Sequence, residues 1–316
     1  MLYAYVRGPK GLAPQPQGAP LAEALWIDLY RPQREQLAAV GALGVEVPTL
    51  ADMEEIEISN RLYREEGVDY LTVVLTGADL EKRQTSGPVT FILDGQRLIT
   101  VRHHAPRPFE TFPERAGRTS AGCGSPHRVF MGLVEECVSR AADILEGVGR
   151  GLDAVSVTVL GNEGGRAKQL QKALADIARL GETVGRVRLA LLTLERALSF
   201  FGALDHAQGM EVRGLVKAEM RDIQALAVHA DFLAGRVSFA TDATLGMINL
   251  EQNATVRILS VVAALFLPPT LIASVYGMNF ANMPELSQPW GYPFALALMA
   301  GSVGATWIFF KLKHWL

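Results

Sequence analysis

Near the start of the chain, short apolar or alternating runs recur: LYAYVR (2–7), ALWIDL (24–29), YLTVVL (70–75), VTFIL (89–93) and RLITVR (97–102). Their length and β-branched content predict five strands. Asp94-Gly95, between the last two, has the composition of a hairpin turn. Arg31 to Val40 and Leu50 to Tyr63 carry a helical pattern, punctuated by Pro32 and Pro48. These elements predict an α/β domain over residues 1–128. A Pro- and Gly-rich loop containing Pro106, Pro108, Pro113 and Pro126 closes it.

From 129 to 257 the period becomes helical. Val129, Leu133, Cys137, Ala141, Ile144 and Val148 line one face of a first helix. A second helical run covers about 163–204. A third begins near Val212 and meets no strong stop before Tyr276. As a single helix those 65 residues would extend roughly 100 Å, the length of a stalk.

The pattern then loses its polar half. Residues 258–276, ILSVVAALFLPPTLIASVY, are nineteen positions without a charge, and so are residues 292–310, YPFALALMAGSVGATWIFF. A hydrocarbon core of about 30 Å needs roughly 20 helical residues, so each run can cross a membrane. Two buried core helices would share this composition, but two helices apolar on every side at the end of one soluble domain are hard to hide. Trp290 and Tyr292 stand at one end of the second span, with Trp307 and Trp315 near the other, as interfacial aromatic belts do. Pro268-Pro269 removes backbone donors inside the first span. A packed kink and a helix lining a wet cavity both accommodate that loss.

Charge sharpens this division. The chain carries 30 basic and 33 acidic side chains for a net charge of -3, yet only Glu251, Arg257, Glu285, Lys311 and Lys313 fall within 251–316. The connecting loop, 277–291, has no Lys or Arg, whereas Arg257, Lys311 and Lys313 flank the opposite ends. The positive-inside rule therefore predicts both termini in the cytoplasm and a basic tail at 311–316. MLYAYVRGPKG at the start lacks the apolar core of a secretory signal, and the inner membrane of a bacterium fits best.

The balanced charge, with no basic stripe, argues against nucleic-acid binding. Two cysteines, Cys123 and Cys137, make no disulfide framework. No GxxxxGK[ST] motif suggests ATP-driven transport, and no nucleophile-base-orienter arrangement suggests an enzyme. Acidic residues cluster at 51–59, 65–66, 135–136, and at Glu219 and Asp222, as solvated helix faces or as oxygen ligands for a hard divalent cation.

At the outer end of the first span stands Tyr276-Gly277-Met278-Asn279-Phe280, followed by Met283-Pro284-Glu285-Leu286. With this tripeptide at the non-cytoplasmic exit of the penultimate span, the sequence resembles the CorA family of divalent-cation channels. The likeness runs through FLPPTLIASVYGMNF, MPEL, GYPFAL, the KLKHWL ending and, upstream, GMINLEQN, and the order of domains agrees over essentially the whole chain. It implies a funnel-shaped homopentamer: an α/β cytoplasmic domain, a long α-helical stalk continuing as a pore-lining first transmembrane helix, and a second transmembrane helix facing lipid. It implies passive Mg²⁺ entry, extending to Co²⁺ and Ni²⁺, without an organic cofactor, and closure by intracellular Mg²⁺ bound between cytoplasmic domains. Gly277, Met278 and Asn279 become the selectivity filter. A ring of Asn279 carboxamides suits outer-sphere hydrogen bonding to hydrated Mg²⁺, which sheds water reluctantly.

Inward from the motif, Thr270, Leu267, Ala263, Leu259, Val256, Asn253, Asn249 and Asp242 step by three, four or seven along one stripe. Polar ends bracketing an apolar middle suit a pore with a dewetting gate. A packed coiled-coil seam accounts equally well for Ala263 and Val256, whereas Asn249 and Asn253 would be costly in one. Thr270 matches a second polar ring of the family, Leu267 replaces a larger Met found in some members, and Asp242 would ring the cytoplasmic exit. Glu219 and Asp222 sit at a stalk depth suited to the regulatory cation, although no motif fixes that match. Two other readings remain: a zinc-transporting branch of the same superfamily, for which His103-His104 and His127 with Cys123 are the tempting ligands, and a non-conducting membrane-anchored scaffold. Met278 and MPEL favour the magnesium branch, and adjacent histidines in a loop are expected to be exposed to solvent.

Overall fold

The structure, a computed structural model, describes the chain except Lys10, Gln17, residues 162–165, 205–209, 279–282 and 314–316, and the side chains of Leu160, Arg166, Ala167, Met210, Glu285 and Leu286. It divides into two compact units, Met1–Val157 with Leu174–Thr241, and Thr158–Ala173 with Asp242–Leu316.

The first unit is built on a seven-stranded sheet: β1 (Leu2–Gly8), β2 (Gly11–Pro14), β3 (Trp26–Tyr30), β4 (Leu62–Glu65), β5 (Val68–Ala78), β6 (Gln84–Leu93) and β7 (Leu98–Arg102), in the order β2-β1-β3-β7-β6-β5-β4. Only β3 and β7 pair in parallel. The expected hairpin is present between β6 and β7. Asp94 Oδ1 accepts from the Gln96 and Arg97 amides, and Gly95 takes φ 83°.

Alternation along the strands sends side chains into two cores. Ile27, Leu29, Tyr70, Ile92 and Ile99 face one side, against Val40 of α1 (Arg34–Gly41) and Met53 of α2 (Leu50–Glu54). Trp26, Leu71, Val73, Phe91 and Leu98 face the other, where four helices supply the remaining core: α4 (Pro108–Arg115), α5 (Pro126–Leu160), α6 (Arg166–Ala203) and the first part of α7 (Met210–Tyr276). The result is an α/β/α arrangement whose larger core lies on the face covered by α4 to α7.

The expected helix over 50–63 is broken. Thr49 caps α2 in a reciprocal box with Asp52, a four-residue turn, α3 (Ile58–Arg61), follows, and the chain then turns into β4. β4 returns to β5 through Glu66-Gly67, both at positive φ (49° and 85°), a turn pair without the Asn-Gly signature. β2 and α4 also lie where the sequence suggested none. α4 begins on Pro108, where a missing N–H costs nothing, and is held by burial of Phe109 and Phe112. Between Leu71 and the isolated Ala78–Ala105 bridge the outer edge of β5 has no strand partner among the described residues, and α6 covers it: the Thr193 hydroxyl accepts from the Val74 amide at 3.0 Å.

His104 lies across Gly77 and Gly87, whose missing side chains make room for its ring. Nε2 is 2.9 Å from the Leu75 carbonyl, so it carries the proton and donates. Burial, with a smaller contribution from Arg102, pushes its pKa down to about 4 and keeps the ring neutral. A Cβ on Gly77 would lie 2.7 Å from the His104 ring and 2.8 Å from the Ala105 backbone. Gly77→Ala is therefore expected to cost ~1–3 kcal/mol, read as a lowered melting midpoint. Gly147→Ala, with open space around the added carbon and a helical backbone, should leave the midpoint unchanged or raise it.

Candidate conduction path

The second unit holds the residues that the motif and stripe single out. α7 ends at Tyr276, and α8 spans Gly291–Leu312, close to the 292–310 read from the sequence. Both are long and apolar enough to cross a membrane, and only 6% and 11% of their most apolar windows are buried. Core helices of a soluble protein would be covered. Trp290 and Tyr292 are exposed at one end of α8, and at the other Lys311 Nζ lies 4.7 Å from the Trp307 ring centroid. An aromatic ring with a lysine reaching past it is the usual chemistry of a membrane interface. Trp315 lies outside the described residues.

All eight stripe residues, Thr270, Leu267, Ala263, Leu259, Val256, Asn253, Asn249 and Asp242, are exposed on α7. Between Val261 and Ile272 the covered positions are Val261, Ala264, Leu265, Pro268, Pro269 and Ile272. At about 100° per residue the two sets fall on opposite sides of the helix. Over this part α7 thus has a covered side, which contains both prolines, and an open side that carries Ala263, Leu267 and Thr270. The helix continues through the prolines to Tyr276 despite the two lost donors. The Thr270 hydroxyl donates to the Phe266 carbonyl at 2.7 Å, leaving its oxygen lone pairs free to accept.

The Gly277 amide closes the helix on the Ala273 carbonyl at 2.9 Å, and the Met278 amide reaches Val275 O at 3.3 Å. A side chain on Gly277 would bring its Cβ within 3.1 Å of that Ala273 oxygen. The added carbon would press on the oxygen that accepts the last-turn hydrogen bond. Gly277→Ala should reduce transport several-fold in vesicle flux while leaving the amount of folded, membrane-inserted protein unchanged; equal flux would show that the turn tolerates a Cβ. Met278 is about half exposed. Asn279 lies outside the described residues.

Glu219 and Asp222 belong to the first unit, three residues apart on α7. Asp222 is exposed, but Glu219 is buried. Desolvation first, then the charges of Glu135 on α5 and Asp222, push the Glu219 carboxyl up to about 7. Glu135, which the sequence presents only as half of an acidic pair, is therefore the unforeseen member of this group. It also accepts from the Ser120 amide at 3.0 Å. Among the described residues no three His, Cys, Asp or Glu side chains are placed to hold a metal ion. This applies to the histidines as well. Far from standing exposed in a loop, His104 is buried against the sheet and His103 is half-buried, because the chain leaving β7 packs back over β5 and β6.

The second unit thus contains two long apolar helices, the first with a polar-ended open stripe that runs to a Gly-Met-Asn motif, in a chain whose other unit is an α/β body. The sequence family described as CorA-like Mg²⁺ transporter protein matches residues 22–312. The chain belongs to this family. It is 33% identical to the magnesium transport protein CorA of Escherichia coli strain K12 over 95% of this chain and 94% of that one. It is equally identical to the protein of the same name from Salmonella typhimurium strain LT2, over 94% and 93%. Among solved structures, the complete CorA magnesium transporter of Methanocaldococcus jannaschii superposes with a TM-score of 0.77 at 18% identity, covering 100% of this chain and 99% of that one. The CorA family is a family of transporters, so the chain moves an ion rather than making or breaking a covalent bond.

Proposed function

We propose that the chain is the subunit of a homopentameric Mg²⁺ channel in the bacterial inner membrane, with residues 258–276 lining the pore, 292–310 facing lipid and both termini in the cytoplasm. The open stripe on α7 carries this reading. In one chain it leaves Leu259, Leu267 and Val256 at 69%, 70% and 61% exposure, alongside Asn249, Asn253 and Thr270. A single hairpin cannot enclose a path, whereas identical helices around one axis turn such a stripe into a lumen.

In that ring, Asn279 from each subunit forms the outer mouth, with Gly277 and Met278 positioning it. Carboxamides accept and donate to the water shell of Mg²⁺ without binding it tightly, so the ion passes on. Thr270 offers a second hydroxyl ring. Leu267, Ala263, Leu259 and Val256 form a constriction that holds no water when closed, and Asn253, Asn249 and Asp242 rehydrate the ion on the cytoplasmic side. The membrane potential supplies about 2.3 kcal/mol per charge per 100 mV, doubled for a divalent cation. Co²⁺ and Ni²⁺, of similar charge and hydration, follow the same route.

Closure uses cytosolic Mg²⁺. Glu219 and Asp222, with Glu135 nearby, provide oxygen ligands that a neighbouring subunit completes, and a cation bound only in the closed state shifts the population by its differential affinity.

Mg²⁺ flux into dye-loaded proteoliposomes, with the subunit count measured on the same preparation by native mass spectrometry, tests the proposal. Saturable Mg²⁺ entry through a pentamer is expected. Entry of Zn²⁺ without Mg²⁺ would move the assignment to a zinc transporter, and no flux of either ion from an assembled pentamer would make the chain a membrane-anchored scaffold.

A further inference from the structure

The first unit contains a second polar site, unrelated to conduction. A cleft of about 390 Å³ opens at the end of the sheet where β5 and β7 finish, between the β5–β6 turn, the segment entering α4 and the middle of α5. Its volume lies within the range of small-molecule sites. Lys82, Arg107 and Arg140 reach it from those three elements. Arg140 also lines a neighbouring polar cavity of about 180 Å³, as does Arg107, so the two guanidiniums stand between the two spaces.

The charges around them are unevenly spent. Asp79 on the rim is fully engaged: its Oδ1 accepts from the Glu81 and Arg83 amides at 2.8 and 2.9 Å, and its Oδ2 from Arg83 Nε at 3.0 Å. In the adjoining cavity Glu136 is paired with Arg115 at 2.6 Å. Arg140, 35% exposed, meets Asp143 only at 3.9 Å. The Arg107 side chain has no hydrogen bond or ion pair among the described residues. Three cations therefore line the larger cleft, against two carboxylates, Glu110 and the Asp79 that shares Arg83 with Glu81. With three cations against two carboxylates the lining is net positive by one charge, which favours an anion. Two guanidinium forks suit phosphate oxygens bidentately. Ala78, Ala105 and Ile144 offer an apolar wall to whatever the phosphate is attached to.

We propose that this cleft binds a phosphate-bearing small molecule, with Arg107 and Arg140 holding the phosphate and Lys82 closing over it from the turn. Binding here is independent of the pore, so it stands or falls separately from Mg²⁺ conduction.

The test is calorimetric titration of the full chain in neutral-lipid nanodiscs with ADP, inorganic phosphate and adenosine, holding free Mg²⁺ constant so that chelation does not contribute. ADP and phosphate are expected to bind and adenosine not. ADP binding more tightly than phosphate would identify an organic phosphate as the ligand class, and equal affinities would identify inorganic phosphate. Arg107→Gln and Arg140→Gln should each weaken binding by about tenfold or more, the loss of a charge-assisted contact, while Arg150→Gln further along α5 changes nothing. Arg107 is exposed, so its variant reports on the site even if Arg140→Gln disturbs the fold, which circular dichroism would show. Absence of binding by ADP and phosphate, adenosine binding as tightly as ADP, or affinity unchanged in folded Arg107→Gln would each overturn the assignment.

Discussion

Asn279→Ala is expected to abolish saturable Mg²⁺ entry in dye-loaded proteoliposomes, lowering flux by more than about tenfold. The physical reason is multiplicity. In the proposed ring one substitution removes a carboxamide from every subunit, and each lost hydrogen bond to the ion's water shell is worth about 1 kcal/mol, so the ring as a whole would account for well over one factor of ten. Asn279→Gln keeps the carboxamide but sets it one methylene further out. It should retain part of the flux with a changed preference among Mg²⁺, Co²⁺ and Ni²⁺. The Ala variant should still assemble and insert, which the subunit count and membrane yield of the same preparation check. Undiminished Mg²⁺ entry through Asn279→Ala would move the selective step away from the motif, with the ring at Thr270 the next position to test.

The second large effect is at Glu219. Its carboxyl titrates near 7 because it is buried and faces Glu135 and Asp222, against an ordinary value of 4.5. The raised value means that the folded chain holds this proton more tightly than the unfolded chain does. The corresponding stability is complete below about 4.5 and is lost as pH rises through 7. Glu219→Gln keeps a neutral side chain at every pH and should raise the melting midpoint at pH 8 while changing it little at pH 5. His104 acts on the other limb. Its value is lowered to about 4 from 6.5, so its contribution is complete above 6.5 and is lost as pH falls toward 4, in both proteins. A divalent cation bound at Glu219 requires the carboxylate, and inhibition by cytosolic-side Mg²⁺ should therefore tighten between pH 6 and pH 8 in the native chain. In Glu219→Gln inhibition should weaken and lose that pH dependence. Inhibition with the same affinity and pH profile in the variant would place the regulatory cation elsewhere on the stalk.

Most of what concerns the membrane was legible in the sequence. A spanning helix is a local property, read from twenty consecutive apolar residues, and α8 and the end of α7 lie within a few residues of the runs that predicted them. The Gly-Met-Asn motif is likewise contiguous and stands at the end of a span, so its residues alone carry the family resemblance. The β6–β7 hairpin was readable because Asp94-Gly95 states its own turn.

The elements that were not legible depend on partners far away in the chain. β4 is a strand only because it pairs with β5 through a turn of unusual composition, and its residues alone continued a helical pattern. α4 is held by burial of two phenylalanines in a core assembled from the sheet and three later helices, within a stretch whose prolines and glycines spoke only of loop. The same holds for chemistry. Glu219 looked like one more acid on a solvated helix until α5 brought Glu135 beside it and removed it from water. His103-His104 looked like exposed loop residues until two strand glycines, Gly77 and Gly87, made a bed for one ring. Lys82, Arg107 and Arg140 are separated by dozens of residues and converge only at the end of the sheet.

By itself, then, the sequence determined that this chain has two segments long and apolar enough to span a membrane, a stripe of helical period running into the first and a Gly-Met-Asn motif after it, because period, apolar run length and contiguous motifs are fixed by neighbours along the chain. Only the tertiary structure decided which titratable groups are desolvated, which charges remain unspent and where they meet, because a pKa and a binding cleft are set by atoms that the sequence places far apart and folding brings within a few ångströms.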